Sequence, residues 1–105
     1  MKIKNAVIVE TRLLRTFDEF HLSIFMQFDN KKSIGIGGYI HSRNVADAMF
    51  DILNVVGVDA WEDISGSRVR VKYRDAIYEI GNESIDNWLD LRNFFANVKT
   101  VSSAV

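Results

Sequence analysis

Residues 44–57, Asn-Val-Ala-Asp-Ala-Met-Phe-Asp-Ile-Leu-Asn-Val-Val-Gly, decide the fold class because they carry the clearest helical pattern in the chain. Starting from Val45, apolar residues recur at i, i+3, i+4, i+7, i+8 and i+11. This spacing places them on one face of a helix. Ser42 or Asn44 can cap its start, and Gly57 stands where a C-terminal glycine is typical. We therefore predict an amphipathic helix that begins near Val45 and ends at Gly57.

On both sides of this helix, apolar and polar residues alternate with a period of two, which is typical of strands. The predicted strands are residues 2–13, 20–28 and 33–40 before the helix and residues 68–73 and 76–80 after it. In the first strand, the odd-numbered residues from Ile3 to Leu13 share one face. The short connections favour antiparallel hairpins.

A second amphipathic helix is predicted after the last strand. Ser84 would cap it, and its apolar residues are Ile85, Trp88, Leu89, Leu91, Phe94, Phe95 and Val98. The large aromatic residues expected in the core are Trp61, Trp88, Phe94 and Phe95. The order is therefore β-β-β-α-β-β-α, an α+β fold with a five-stranded, mainly antiparallel sheet covered on one face by two helices. No proline and no glycine- or serine-rich linker interrupts residues 1–105, which predicts a single domain.

The composition is that of an ordinary globular protein. Of 105 residues, 48% are hydrophobic and 26% are charged, which argues against intrinsic disorder. The absence of cysteine excludes disulfides, thiolate metal sites and a cysteine nucleophile. No apolar run approaches the roughly 20 residues that span a bilayer, and no signal-peptide pattern follows the N-terminal lysines. We expect a cytoplasmic protein without a membrane partner.

Catalytic and metal-binding patterns are not recognisable. A phosphate loop needs glycines between a strand and a helix, whereas Gly35-Ile-Gly-Gly38 lies inside a strand pattern. These glycines instead predict a β-bulge or a close approach by another element. His21 and His41 have no partner at metal-ligand spacing, and Asp59, Glu62 and Asp63 lack the calcium-loop pattern. Without a nucleophile–base pair, we predict no enzymatic activity, no cofactor and no metal.

Charge is distributed unevenly, beginning with an acidic segment. Residues 44–67 contain no lysine or arginine, and their acids are Asp47, Asp51, Asp59, Glu62 and Asp63. Asp47 and Asp51 are four residues apart and are therefore neighbours on the helix surface. One interpretation is a partner-binding surface that attracts a basic macromolecule, as a nucleic-acid mimic would. The other is an ordinary solvated helix face.

A basic segment follows directly. Its four bases, with no acid among them, are Arg68, Arg70, Lys72 and Arg74. They alternate along a strand, so successive members lie about 7 Å apart on one face. This spacing resembles that of phosphates along a nucleic-acid strand and is compatible with binding along its backbone. The alternative is a solvated sheet face whose cross-strand partners are Glu10 and Glu79.

A resemblance to known proteins is carried by five stretches. They are Gly37-Gly38, residues 56–66 (Val-Gly-Val-Asp-Ala-Trp-Glu-Asp-Ile-Ser-Gly), Arg68-Val69-Arg70, Ile80-Gly81-Asn82 and Trp88. Across residues 33–88 the chain resembles a group of small phage and prophage proteins. The resemblance implies no active site. It implies a phage accessory protein, a class that often inhibits host defence and includes anti-CRISPR proteins.

Two function hypotheses follow. The first is a non-enzymatic, phage-encoded protein that binds and inhibits a host protein or ribonucleoprotein complex, such as a CRISPR effector in the host cytoplasm. The second is a nucleic-acid-binding module that uses the basic strand face. A homodimer that packs through the glycine-bearing third strand is a further hypothesis about partners.

Overall fold

The computed structural model describes residues 2–74, 77–93, 95 and 98–103, and it shows an antiparallel sheet with one α-helix in the described part. The elements are β1 (Lys2–Arg15), β2 (Glu19–Phe28), β3 (Ser33–His41), α1 (Val45–Val56), β4 (Arg68–Tyr73), β5 (Ile77–Asn82), β6 (Trp88–Leu89) and β7 (Val98–Ser103). Short 3-10 turns cover Ser42–Asn44, Trp61–Asp63 and Leu91–Asn93. The strand order is β6-β5-β4-β1-β2-β3-β7, and every neighbouring pair with a defined register is antiparallel. The α+β class and the antiparallel sheet are confirmed.

The predicted number of elements is wrong. Six strands lie between Lys2 and Leu89, and a seventh, β7, extends the sheet beyond β3. The second helix predicted from Ser84 is absent from the described residues, which form a loop, β6 and a 3-10 turn there. Phe94, which that helix was expected to carry, lies outside the described residues. No α-helix in the described ranges is both long enough and apolar enough to cross a bilayer.

Short polar side chains explain why the second helix does not form. The Asn82 Oδ1 atom accepts hydrogen bonds from the N–H groups of Ser84 and Ile85 at 2.9 and 3.2 Å. Further on, Asp90 Oδ1 accepts one from the N–H of Arg92 at 3.0 Å. Such local bonds compete with helical ones for the same backbone donors. The hydrogen bonds from the Arg92 side chain also hold the pKa of Asp90 below its usual value.

The hydrophobic core lies between α1 and the inner face of the sheet. Its most deeply buried large residues are Ile8, Leu22, Ile24, Met26, Ile36, Ile40, Ile52, Ile64, Val69, Ile80 and Leu91. In β1 the odd-numbered residues do not form the buried face, because Ala6 and Ile8 fill the core whereas Ile3 is 57% exposed. An irregularity between Ile8 and Glu10 then shifts the register, and Leu13 packs against the core.

The glycines of β3 allow close packing within the sheet. Pairing with β2 is regular from Glu19–His41 to Gln27–Ser33, so the predicted bulge is wrong. At Gly37 a Cβ atom would lie 2.9 Å from Ser23 Oγ, which belongs to the paired strand β2 and not to a helix. Both edges of β3 are occupied, one by β2 and the other by β7.

The C-terminal end of α1 is tied to β5 by a side-chain amide. Gly57 adopts a left-handed conformation with φ of 88°, as predicted for a helix-ending glycine. The N–H groups of Gly57 and Val58 both donate to the Leu53 carbonyl, at 2.9 and 3.2 Å. Asn82 Nδ2 donates to the Val55 carbonyl at 3.0 Å. Asn82 therefore connects the end of α1 to the loop after β5, whose Ser84 and Ile85 N–H groups donate to its Oδ1 atom.

Replacing Asn82 with alanine should lower the free energy of unfolding by about 2–3 kcal/mol, because three short hydrogen bonds worth roughly 1 kcal/mol each are lost. Urea denaturation measures this change. Asn44→Ala is the matched control, since the Asn44 side chain makes no capping bond, and its effect should stay within about 0.5 kcal/mol. Equal losses in the two variants would contradict the role given to Asn82.

Candidate functional site

The acids on α1 and the bases on β4 lie on opposite sides of the sheet. We call Asp47, Asp51, Asp59, Glu62 and Asp63 the acidic α1 surface, and Arg68, Arg70, Lys72 and Arg74 the basic β4 stripe. Asp47 and Asp51 stand on α1, which packs against the inner face of the sheet. Arg68, Arg70 and Lys72 alternate with the buried Val69 and Val71 and so project from the outer face. The described residues contain no ion pair between the two sets.

The solvent-facing side of α1 has an aromatic residue at its centre. Phe50 is 71% exposed, whereas the helix buries Ala48, Ile52, Val55 and Val56. Asp47 and Asn54, three residues before and four after Phe50, are also exposed and lie in the same row. Sequence reasoning missed Phe50 as a candidate. The signal was present, because Phe50 falls outside the apolar positions that begin at Val45.

Beside Phe50 lies a cleft of about 220 Å³, lined by Phe50, Leu53, Asn54, Val58 and Asp59. We call it the Phe50 cleft. It adjoins the C-terminal end of α1, whose last turn carries no basic residue. In the described part of the chain no donor reaches the Asn54 carbonyl oxygen, since Gly57 and Val58 both bond to Leu53. The cleft thus combines apolar walls with a carboxylate and the negative end of a helix dipole.

Among the described residues, carboxylates of the acidic α1 surface form no ion pair. The ion pairs among the described residues are Arg12–Glu10, Lys72–Glu79 and Arg92–Asp90, and none includes a member of this surface. Asp47 and Asp51 lie on α1, and Asp59 lines the Phe50 cleft. Glu62 and Asp63 lie exposed on the 3-10 turn that follows.

Half of the basic β4 stripe is engaged within the protein. Arg70 donates from Nε to the Asn82 carbonyl at 2.7 Å and from Nη2 to the Ile85 carbonyl at 2.8 Å. Lys72 Nζ lies 3.4 Å from the Glu79 carboxylate, which confirms Glu79 as a cross-strand partner. Glu10 was expected to serve the stripe as well, but it pairs with Arg12 at 3.3 Å. Arg68 and Arg74 are exposed, and no described residue forms an ion pair with either.

Trp88 covers the engaged half of the stripe. It was predicted to lie in the core, but it is half-buried on the outer face, where a Cβ atom on Gly81 would come within 2.5 Å of its ring. The Arg70 guanidinium and the Lys72 ammonium lie 4.9 and 4.5 Å from the ring centre. The Trp88 Nε1 atom donates to Asp86 Oδ1 at 2.8 Å. Only glycine at position 81 lets the indole lie this close to the sheet.

One serine–histidine contact lies on β2. Ser23 Oγ is 3.4 Å from His21 Nδ1, at the outer limit of a hydrogen bond, and Tyr39 packs edge-on against the imidazole. The described residues show no carboxylate bonded to His21, so the third member of a triad is not in place. In the same described ranges, no three histidine, aspartate or glutamate side chains gather into a potential metal site.

In comparisons with known proteins, the chain matches no protein-family model, no curated protein and no solved structure. The phage resemblance therefore stays a prediction from residues 33–88.

Arg70→Lys should lower the free energy of unfolding by about 1–2 kcal/mol, because an ammonium cannot reproduce two guanidinium donors and its stacking on Trp88. Arg68→Lys is the control on the same strand and should change stability by less than about 0.5 kcal/mol. Chemical denaturation of both variants measures the difference. If Arg68→Lys proved as harmful as Arg70→Lys, Arg70 would not be an anchor.

Proposed function

We propose that this protein is a non-enzymatic interaction domain that binds a positively charged surface of a partner protein through the acidic α1 surface. The observation that carries the proposal is Phe50, 71% exposed among carboxylates that form no ion pair in the described part of the chain. Protein interfaces commonly have an apolar or aromatic centre and a polar rim. Phe50 supplies such a centre, and Asp47, Asp51 and Asp59 supply the rim.

Burial and charge contribute differently to this interface. Moving a phenylalanine side chain fully out of water stabilises a complex by about 2–3 kcal/mol. The carboxylates add long-range attraction, which raises the association rate and makes it sensitive to salt. Because these carboxylates form no ion pair with a described residue, a basic partner need not displace one from that part of the chain in order to bind.

A protein that holds nucleic acid presents the kind of basic surface that fits this site. We propose that covering such a surface on a host protein or ribonucleoprotein complex is how the domain inhibits it. An anti-CRISPR role is the narrower form of this proposal, and it depends on the phage resemblance of residues 33–88.

Phe50→Ala and the pair Asp47→Asn and Asp51→Asn should each reduce capture of a stoichiometric host partner at least tenfold. The reason is the loss of about 2 kcal/mol of apolar burial in the first variant and of charge attraction in the second. Affinity purification with the tagged full chain, followed by quantitative mass spectrometry, measures the capture.

The matched controls for this experiment lie on the β1–β2 hairpin. Phe17 is fully exposed and Asp18 is exposed, so Phe17→Ala and Asp18→Asn make the same chemical changes away from α1. Both controls should retain the partner. Capture that survives the α1 substitutions, or that is lost only with the hairpin substitutions, would place the interface elsewhere.

Nucleic-acid binding through the basic β4 stripe is the second candidate. Arg68 and Arg74 favour it, because both are exposed and neither is paired with a described residue. Arg70 and Lys72 weaken it, because both are already bonded within the protein. The outer face therefore offers two readily available cations, where the sequence predicted four.

If the stripe binds single-stranded nucleic acid, replacing Arg68 and Arg74 with glutamine should flatten the slope of log Kobs against log salt by about 1.4, or roughly 0.7 per phosphate contact. Fluorescence anisotropy across a salt series measures the slope. Lys31→Gln with Lys32→Gln, in the exposed β2–β3 turn, is the control pair. If the two double variants had the same slope, nucleic-acid binding through the stripe would be ruled out.

A further inference from the structure

Apolar and polar residues together line the Phe50 cleft. We infer that it binds a single arginine side chain of the partner, an inference that rests on the proposed function and assigns the chemistry of its central contact. The cleft of about 220 Å³ combines apolar and polar walls, and both kinds are needed to recognise arginine.

The apolar part of the cleft suits the arginine stem. Leu53 and Val58 are half-buried, pack against the core and line the cleft, so they offer a fixed apolar wall. Arginine places its methylene groups along such walls while its charged head stays in a polar environment. Phe50 borders the same space with most of its surface exposed, and an aromatic ring attracts and stacks with a guanidinium.

The polar part of the cleft suits the guanidinium head. Asp59 is exposed and forms no ion pair with a described residue. Asn54 also lines the cleft, and no described donor reaches its backbone carbonyl. Both lie near the C-terminal end of α1, where the helix dipole favours positive charge and the last turn of the helix carries no basic residue. The several N–H groups of a guanidinium can serve a carboxylate and a carbonyl together.

Other occupants fit less well. An anion would face the Asp59 carboxylate and the negative end of the helix. A purely apolar side chain would cover polar groups of Asp59 and Asn54 without giving them a hydrogen-bond partner, which is costly. The cleft is also held in place, because Gly57 fixes the turn and Asn82 bonds to the Val55 carbonyl. A fixed site loses less conformational entropy on binding.

A peptide titration tests this assignment on the full chain. An acetylated and amidated peptide that contains Leu-Arg is added to the ¹⁵N-labelled protein, and amide shifts are followed by NMR. We expect saturable shifts centred on residues 50–59, with a dissociation constant on the order of 1 mM for so small a contact. The same peptide with citrulline, which keeps the shape of arginine and removes its charge, should bind at least tenfold more weakly.

Variants locate the site. Asp59→Asn should weaken binding of the arginine peptide about fivefold or more, whereas Asp18→Asn on the β1–β2 hairpin should leave it unchanged. Equal binding of the citrulline peptide, shifts scattered over other acidic residues, or indifference to Asp59→Asn would each overturn the inference. If Phe50→Ala abolishes partner capture but the arginine peptide causes no shifts, the proposed function stands and the arginine site does not.

Discussion

The side-chain amide of Asn82 is the contact on which the arrangement of both charged surfaces depends. Its Nδ2 atom bonds to the Val55 carbonyl and fixes the C-terminal end of α1, beside the Phe50 cleft. Its Oδ1 atom bonds to the N–H groups of Ser84 and Ile85 and directs the chain into β6. The backbone carbonyl of Asn82 accepts a hydrogen bond from Arg70 Nε and so fixes the middle of the basic β4 stripe. One residue thus couples the inner and outer sides of the sheet.

Much of the fold could be predicted from residue periodicity. The helical spacing from Val45 to Val56 and the alternation in β2 and β4 lie in segments where burial is one-sided, so pattern and structure agree. The second helix could not be excluded in this way. Its apolar spacing is real, but Asn82 and Asp90 capture nearby backbone N–H groups, and periodicity does not register such bonds.

The charged residues of the candidate site could be identified from the sequence, but their arrangement in space could not. Sequence distinguishes acidic residues 44–67 from basic residues 68–74, and the structure adds that the acids on α1 and the bases on β4 lie on opposite sides of the sheet. It also shows that the bases are not equivalent. Arg70 and Lys72 lie under or beside Trp88, and the pairing of Gly81 with Trp88 across β5 and β6 could be seen only once the strands were aligned.

This difference between the surfaces bears on which one binds a partner. A nucleic acid that used Arg70 would compete with two backbone carbonyls that hold the guanidinium at 2.7 and 2.8 Å, and those carbonyls would lose their donor. The acidic α1 surface carries no such cost in the described residues, since its carboxylates exchange only water for a partner's cations. It also gains from Phe50, which is exposed before binding and becomes buried afterwards. The balance of desolvation and burial therefore favours the helix face over the strand face as the interface.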